Sequence, residues 1–200
     1  MSAGGYMSSI PILRAFEAEL DLKDRAVLVN RWATPFAVLT VCLGLAFAGP
    51  VGRVAHVCLA LLLFTAGFNL LSPHLLHKAS NRAYFVTFRM WLNVVCNGIV
   101  VWLIGGLWTP CWLLLALTPL ASAIYGSAGR TLTWACLVSG FLLVRYLILG
   151  VFSPLELAEQ LTYCAFIIFG SLLVNEAVHS GPQAAPARAA QRGHRAVAGR

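Results

Sequence analysis

Charge is what this chain has least of. Only 10% of its 200 residues are Asp, Glu, Lys or Arg, and just 7 of them are acidic. Soluble domains carry about 25% charged residues, so an ordinary water-facing surface is excluded. Catalytic signatures are equally scarce: there is no phosphate-cradling glycine motif, no HExxH, no acidic pair at helical spacing within the membrane, and no serine set beside a histidine at matching depth. An enzyme is therefore not expected, and without a nucleotide-binding domain neither is a self-powered pump. The six cysteines form no CxxC and fall one to each apolar stretch, which reads as small polarizable packing rather than a disulfide or metal framework. His74 and His77 in PHLLH are too few ligands for a metal. His56 and His74 lie about 27 Å apart along one helix and cannot share a haem, so no cofactor is expected. No basic patch, apolar run and small-residue cleavage site open the chain, so no removable signal peptide is expected.

What is present is hydrophobic: 60% of residues, with a mean hydropathy of +0.80. Six stretches are long and apolar enough to read as spans, at residues 32–48, 54–71, 84–104, 110–125, 131–149 and 154–174. The fold expected is an all-α integral membrane bundle of six transmembrane helices, with five as the alternative. The fourth stretch is the shortest and carries Pro110 and Pro119, which suggests a kinked or partly re-entrant helix. Of the 14 Lys and Arg residues, 12 lie before the first stretch, at the junction of the second and third (Arg89 just inside the third), between the fourth and fifth, or after the sixth. Arg53 alone lies on the other side, and Arg145 falls inside a stretch. By the positive-inside rule both termini are cytoplasmic. The net charge of +7 is absorbed by this topology, and with no aromatics among the tail arginines nucleic acid is not an expected partner.

Three segments follow: a cytoplasmic N-terminal amphipathic segment over 1–30, a transmembrane domain over 31–176, and a disordered basic Ala/Pro/Arg tail over 177–200. In the first, Leu13, Phe16, Leu20 and Val27 recur at helical spacing opposite Glu17, Glu19, Asp21 and Asp24. Pro73 is expected to stop the second helix, leaving His74 to Arg82 as a cytoplasmic loop. Trp102, Trp108 and Trp112 flank a glycine-proline turn and mark the outer interface. Ser153, Pro154 and Glu156 read as the start of the sixth helix.

Polar residues inside hydrocarbon are the candidate site. Arg89, Asn93 and Asn97 are spaced four apart, on one face of the third helix. Asn69, at similar depth in the second, is their expected partner. Burying an amide or guanidinium costs several kcal/mol unless it is paired, so this face should point into the bundle. The set serves either as interhelical glue or as a ligand- or signal-sensing site. Arg145 lies about 22 Å along the fifth helix from Arg130 by helix rise, at nearly the depth of Glu159 in the sixth, and an intramembrane ion pair is expected between them.

The segments DRAVLVNRWATPF, FNLL, FRMWLNVVCNGIVVWLIGGLWTPCWLLLALTPLASAIYGSAGRT and the closing NEAV make the chain resemble the six-helix membrane sensor region of bacterial sensor histidine kinases and some diguanylate cyclases. The resemblance implies an inner-membrane module that relays a signal to a cytoplasmic partner such as a kinase or response regulator, and it is compatible with a homodimer. The departure is that NEAVHSGPQAAPARAAQRGHR carries neither a phosphoacceptor helix nor an ATP-binding or cyclase domain. A small transporter or channel-like subunit and a ligand-free membrane anchor or scaffold are the competing expectations.

Overall fold

The computed structural model describes residues 11–78, 81–149 and 153–179, without the side chains of 11–26, 28, 77, 78 and 82. Every element among the described residues is helical: α1 (Pro11–Ala48), α2 (Gly52–Lys78), α3 (Arg82–Ile104), a 3₁₀ turn (Thr109–Trp112), α4 (Leu113–Tyr125), α5 (Ala128–Leu149) and α6 (Pro154–His179). Five helices are long and apolar enough to cross a membrane, within 29–48, 52–76, 83–104, 128–149 and 154–179. The chain is thus built as a multi-pass membrane protein. The expected fourth span is the exception. The 13 residues of α4 rise about 20 Å, short of about 30 Å of hydrocarbon, and a 3₁₀ turn precedes it.

Local chemistry explains the boundaries. Gly49 ends α1 at φ 54°, the left-handed region open to glycine, and Pro50 prevents continuation. Asn81 caps α3 by accepting from the Tyr84 N–H at 3.1 Å. The third helix closes where Gly105 N–H bonds Val101 O, and Ile104 O then accepts from both Leu107 and Trp108. At the head of α6, Leu157 N–H returns to Ser153 O, with Pro154 in the first turn. The expected N-terminal amphipathic segment is helical from Pro11 and continuous with the first span, since α1 runs from Pro11 to Ala48; its acidic and apolar faces lie largely outside the described side chains. The expected disordered tail lies outside the described residues from 180 onward.

One expectation is corrected. Pro73 does not stop α2, which continues to Lys78. A proline removes one helical donor, and within a membrane a helix tolerates this when neighbouring groups satisfy the freed carbonyl. How that is done here defines the site described below.

The chain divides into two compact units, Met1–Leu114 and Leu115–Arg200. In the first, α1 packs on α2 and α2 on α3, while the 3₁₀ turn lies against α1 and α3. Phe68 meets Phe85 and Phe88 at ring-centroid distances of 6.1 and 6.2 Å, an aromatic seam between α2 and α3. Arg31 lies over the exposed Trp32 ring at 5.9 Å, a pairing suited to a headgroup interface. In the second unit α5 and α6 pack along their length. Thr131, Ala135, Val138 and Ser139 of α5 and Cys164, Ile167 and Ser171 of α6 are buried, and Cys164 Sγ–H donates to Ser139 O at 3.6 Å. Small side chains permit this close approach, the usual route to helix association where no hydrophobic drive exists between helices.

Gly44 makes the packing in the first unit testable. A Cβ there would lie 3.0 Å from Trp108 Cδ1 and 3.2 Å from Ile104 Cδ1. Gly44→Leu is expected to cost about 1–3 kcal/mol through overpacking, read as a lower thermal midpoint in detergent. Gly67→Ala is the control, because a Cβ there meets nothing within 4 Å.

Candidate functional site

The site grows from one missing hydrogen. Pro73 has no N–H, so the carbonyl of Asn69, four residues earlier, loses its helical donor. Two side chains replace it. Ser72 Oγ–H donates to Asn69 O at 2.9 Å, and Asn30 Nδ2–H donates to the same oxygen at 2.8 Å. Asn30 belongs to α1, so the carbonyl that Pro73 exposes on α2 becomes the anchor of the neighbouring helix.

A second layer of donors closes over the first. Asn30 Nδ2 also reaches Ser72 Oγ at 3.2 Å, and Arg89 Nη1 of α3 donates to Ser72 Oγ at 2.9 Å, with Asn30 Oδ1 at 3.5 Å. Ser72 is 1% and Arg89 5% exposed, so these are contacts removed from solvent. One turn further along α3, Asn69 and Asn93 exchange amide hydrogen bonds at 3.0 and 3.1 Å. Asn93 Nδ2 additionally donates to Arg89 O at 3.0 Å. The result is a continuous network through α1, α2 and α3, in a medium where an unmade hydrogen bond costs more than in water.

The structure therefore brings together Asn69, Arg89 and Asn93. It does not add Asn97, whose Nδ2 donates to Leu114 O at 3.1 Å at the start of α4. The carbonyl that Pro119 deprives of its helical donor is the next one, that of Leu115. Sequence reasoning missed Asn30 and Ser72. Their only signal was Pro73 itself, which points four residues back to a carbonyl in need of donors.

Arg145 and Glu159 have different surroundings. Arg145 is buried on α5 at 9% exposure, whereas Glu159 is exposed on α6 with Tyr163, one turn along, as its electrostatic neighbour. Nearby, Tyr146 O–H donates to Ser153 O at 3.3 Å and ties the end of α5 to the start of α6.

A further polar residue in the second unit was not anticipated as functional. Asn175 is 5% exposed on α6, and its Nδ2 donates to Ala123 O at 2.8 Å and to Gly126 O at 2.9 Å. These carbonyls belong to the C-terminal end of α4, where helical donors run out. One amide thus caps α4 and its following turn onto α6. His74 is exposed beyond Pro73, Cys42 and Cys136 are exposed, and the other four cysteines are buried. Among the described residues no three His, Cys, Asp or Glu side chains gather as a metal site.

The Asn69–Asn93 pair yields a sharp energetic test. Removing one amide strands the other, at a cost of about 1–3 kcal/mol, whereas replacing both partners by apolar groups is nearly neutral. Asn69→Leu and Asn93→Leu are each expected to lower the detergent thermal midpoint, and the double variant to lie well above the sum of the two losses. Strict additivity in a double-mutant cycle would contradict the pairing.

Set against protein-family models, curated proteins and solved structures, the chain finds no match.

Proposed function

We propose that this is a multi-pass protein of a bacterial inner membrane that works as a sensor-type module, relaying a signal to a cytoplasmic partner such as a kinase or response regulator. The observation that carries this reading is the network of half-buried Asn30, Asn69 and Asn93 with buried Ser72 and Arg89, built around the carbonyl that Pro73 frees. Polar residues held inside a membrane bundle are costly and mark function by default. Here they bridge three helices through side chains that have alternative partners. Asn69 O is held by both Asn30 and Ser72, and Ser72 Oγ accepts from both Asn30 and Arg89, so each acceptor keeps one donor if the other leaves. Such redundancy suits a joint with two arrangements, which relay requires. The set contains amides, a hydroxyl and a guanidinium, none of which accepts a proton at neutral pH, so the network supports binding or mechanical coupling rather than catalysis.

Sidedness belongs to the same proposal. With six crossings, both termini and their arginines are cytoplasmic. With five, the tail carrying Arg188, Arg192, Arg195 and Arg200 would be outside, against the positive-inside rule. Reporter fusions at either terminus, active only in the cytoplasm, are expected to be active at both. An inactive C-terminal fusion beside an active N-terminal one would mean that α4 does not cross.

An alternative rests on a specific observation: the Asn69 and Asn93 amides satisfy one another. A network that closes on itself also suits a membrane anchor whose polar residues only fix helix register. Recovery of cytoplasmic partners on the tagged protein, followed by phosphotransfer measured in the recovered complex, separates the two. The sensor reading expects Asn93→Leu to change partner phosphorylation several-fold while the protein still folds. Unchanged phosphorylation by a folded variant would reduce the cluster to packing.

A further inference from the structure

We infer that Thr34 is the latch of the joint at Pro73: its hydroxyl, unpaired in the arrangement described above, donates to the Arg31 carbonyl in the other arrangement, bending α1 at Pro35 and drawing Asn30 off Asn69 O. This rests on the two-arrangement reading of the network proposed above.

The same pair of residue types recurs on neighbouring helices. Ser72 precedes Pro73 on α2 and Thr34 precedes Pro35 on α1, and both prolines lie inside their helices. Each proline withholds an N–H from the carbonyl four residues earlier, Asn69 O on α2 and Arg31 O on α1. A hydroxyl just before the proline stands three residues beyond that carbonyl, a spacing across which serine and threonine back-bond. On α2 the bond is made, with Ser72 Oγ–H donating to Asn69 O at 2.9 Å. On α1 it is not. Thr34 is 8% exposed, and its buried Oγ1 has no hydrogen-bond partner.

Other buried threonines of the same unit behave differently. Thr40 and Thr65, as buried as Thr34, donate to Phe36 O and Leu61 O, one turn earlier, at 2.9 and 2.8 Å. Threonine in a helix divides between two χ1 wells because its Oγ1 can bond the carbonyl three or four residues back. Thr34 stands in the well that forgoes this bond. An orphaned hydroxyl beside a carbonyl that has lost its helical donor is costly on both sides, and one rotation satisfies the two together. Back-bonding of this kind bends helices, and Pro35 has already removed the tie that would resist it.

The place of the bend connects it to the network. Asn30 lies one turn before Thr34 on the same face. It holds Asn69 O at 2.8 Å and Ser72 Oγ at 3.2 Å, with Arg89 Nη1 at 3.5 Å. By helix rise Asn30 is about 7.5 Å from Pro35, so a kink of about 20° moves it by about 2.5 Å, more than a hydrogen bond tolerates. Ser72 then keeps Asn69 O and Arg89 keeps Ser72, so α2 and α3 stay joined while α1 is released. The second donor at each acceptor is what makes that release cheap.

Full-length protein in lipid bilayers tests this, with spin-labelled non-natural residues at two exposed pairs: Val27 with His74 on the Asn30 side of Pro35, and Phe47 with Leu59 on the other side. Wild type is expected to give two distances about 4 Å apart for the first pair, from the same kink acting over about 12 Å of helix, and one distance for the second. Thr34→Val keeps the shape and loses the donor. It should lower the population of the longer Val27–His74 distance about five-fold, the worth of one hydrogen bond, and raise the thermal midpoint because the orphaned hydroxyl is gone. Pro35→Ala, which returns an N–H to Arg31 O, should deplete the same distance, while Thr34→Ser keeps the donor and should keep both. Two wild-type distances that Thr34→Val and Pro35→Ala leave unchanged, or a midpoint that Thr34→Val lowers, would overturn the latch and leave the two-arrangement reading standing. A single wild-type distance would overturn both.

Discussion

Asn30→Leu is expected to destabilise the folded protein by about 1–3 kcal/mol, because it strips a donor from a carbonyl that has no helical partner. The same substitution made together with Pro73→Ala should cost about 1 kcal/mol less, a coupling of the size found between groups sharing one network. Alanine at position 73 restores the N–H that proline lacks, and that N–H returns to Asn69 O. The carbonyl then no longer depends on Asn30 at 2.8 Å and Ser72 at 2.9 Å. Part of the cost persists in either background, since Asn30 also contacts Ser72 Oγ and Arg89. Thermal unfolding of the four proteins in one detergent gives the cycle. Equal costs of Asn30→Leu with and without Pro73 would mean that the freed carbonyl does not organise the cluster.

Asn175 should produce the second large effect. Its Nδ2 serves two carbonyls, Ala123 O at 2.8 Å and Gly126 O at 2.9 Å, in a site 5% exposed. Asn175→Leu leaves both without that donor, and about 1–3 kcal/mol is expected to be lost. Asn175→Asp should be at least as damaging, because an ionised carboxylate offers only acceptors to two acceptors. The loss is local as well as global. Backbone amides of residues 122–131 should exchange with solvent faster in either variant, while those in the middle of α6 remain protected. Unchanged exchange across that segment would show that α4 is held by other contacts.

How much of this was legible in the sequence depends on which coordinate of a helix is asked for. Spacing of four residues placed Arg89 and Asn93 on one face, and depth matched them to Asn69; the network joins all three. Asn97 shares their face but lies a turn beyond, and there its amide donates to Leu114 O. Helix rise likewise put Arg145 and Glu159 at one height but said nothing about azimuth. Azimuth is set by packing between helices, which a single sequence encodes weakly when nearly every position is apolar.

Pro73 was legible as a disturbance and was given the consequence it would have in water. A proline in a soluble helix ends or kinks it, whereas in a membrane bundle the helix persists if the orphan carbonyl finds a donor. Ser72 and Asn30 are those donors. Asn30 was hidden because it stands at the end of a segment read as a surface helix, while α1 carries it unbroken into the first span. The fourth helix was recognised as unusual from its two prolines, but its division into a 3₁₀ turn and a short α-helix follows from backbone geometry at Thr109–Trp112 that composition does not specify.

The central claim is that the network at Pro73 is a joint with two arrangements rather than a fixed tie. Spin labels carried by non-natural residues at Val27 on α1 and His74 on α2, both exposed, would report the separation of these helices beside the cluster in lipid bilayers. Two resolved distances are expected in the wild-type protein, with their populations displaced towards one by Asn30→Leu. A single distance that Asn30→Leu leaves unchanged would contradict the claim and leave the cluster a static support.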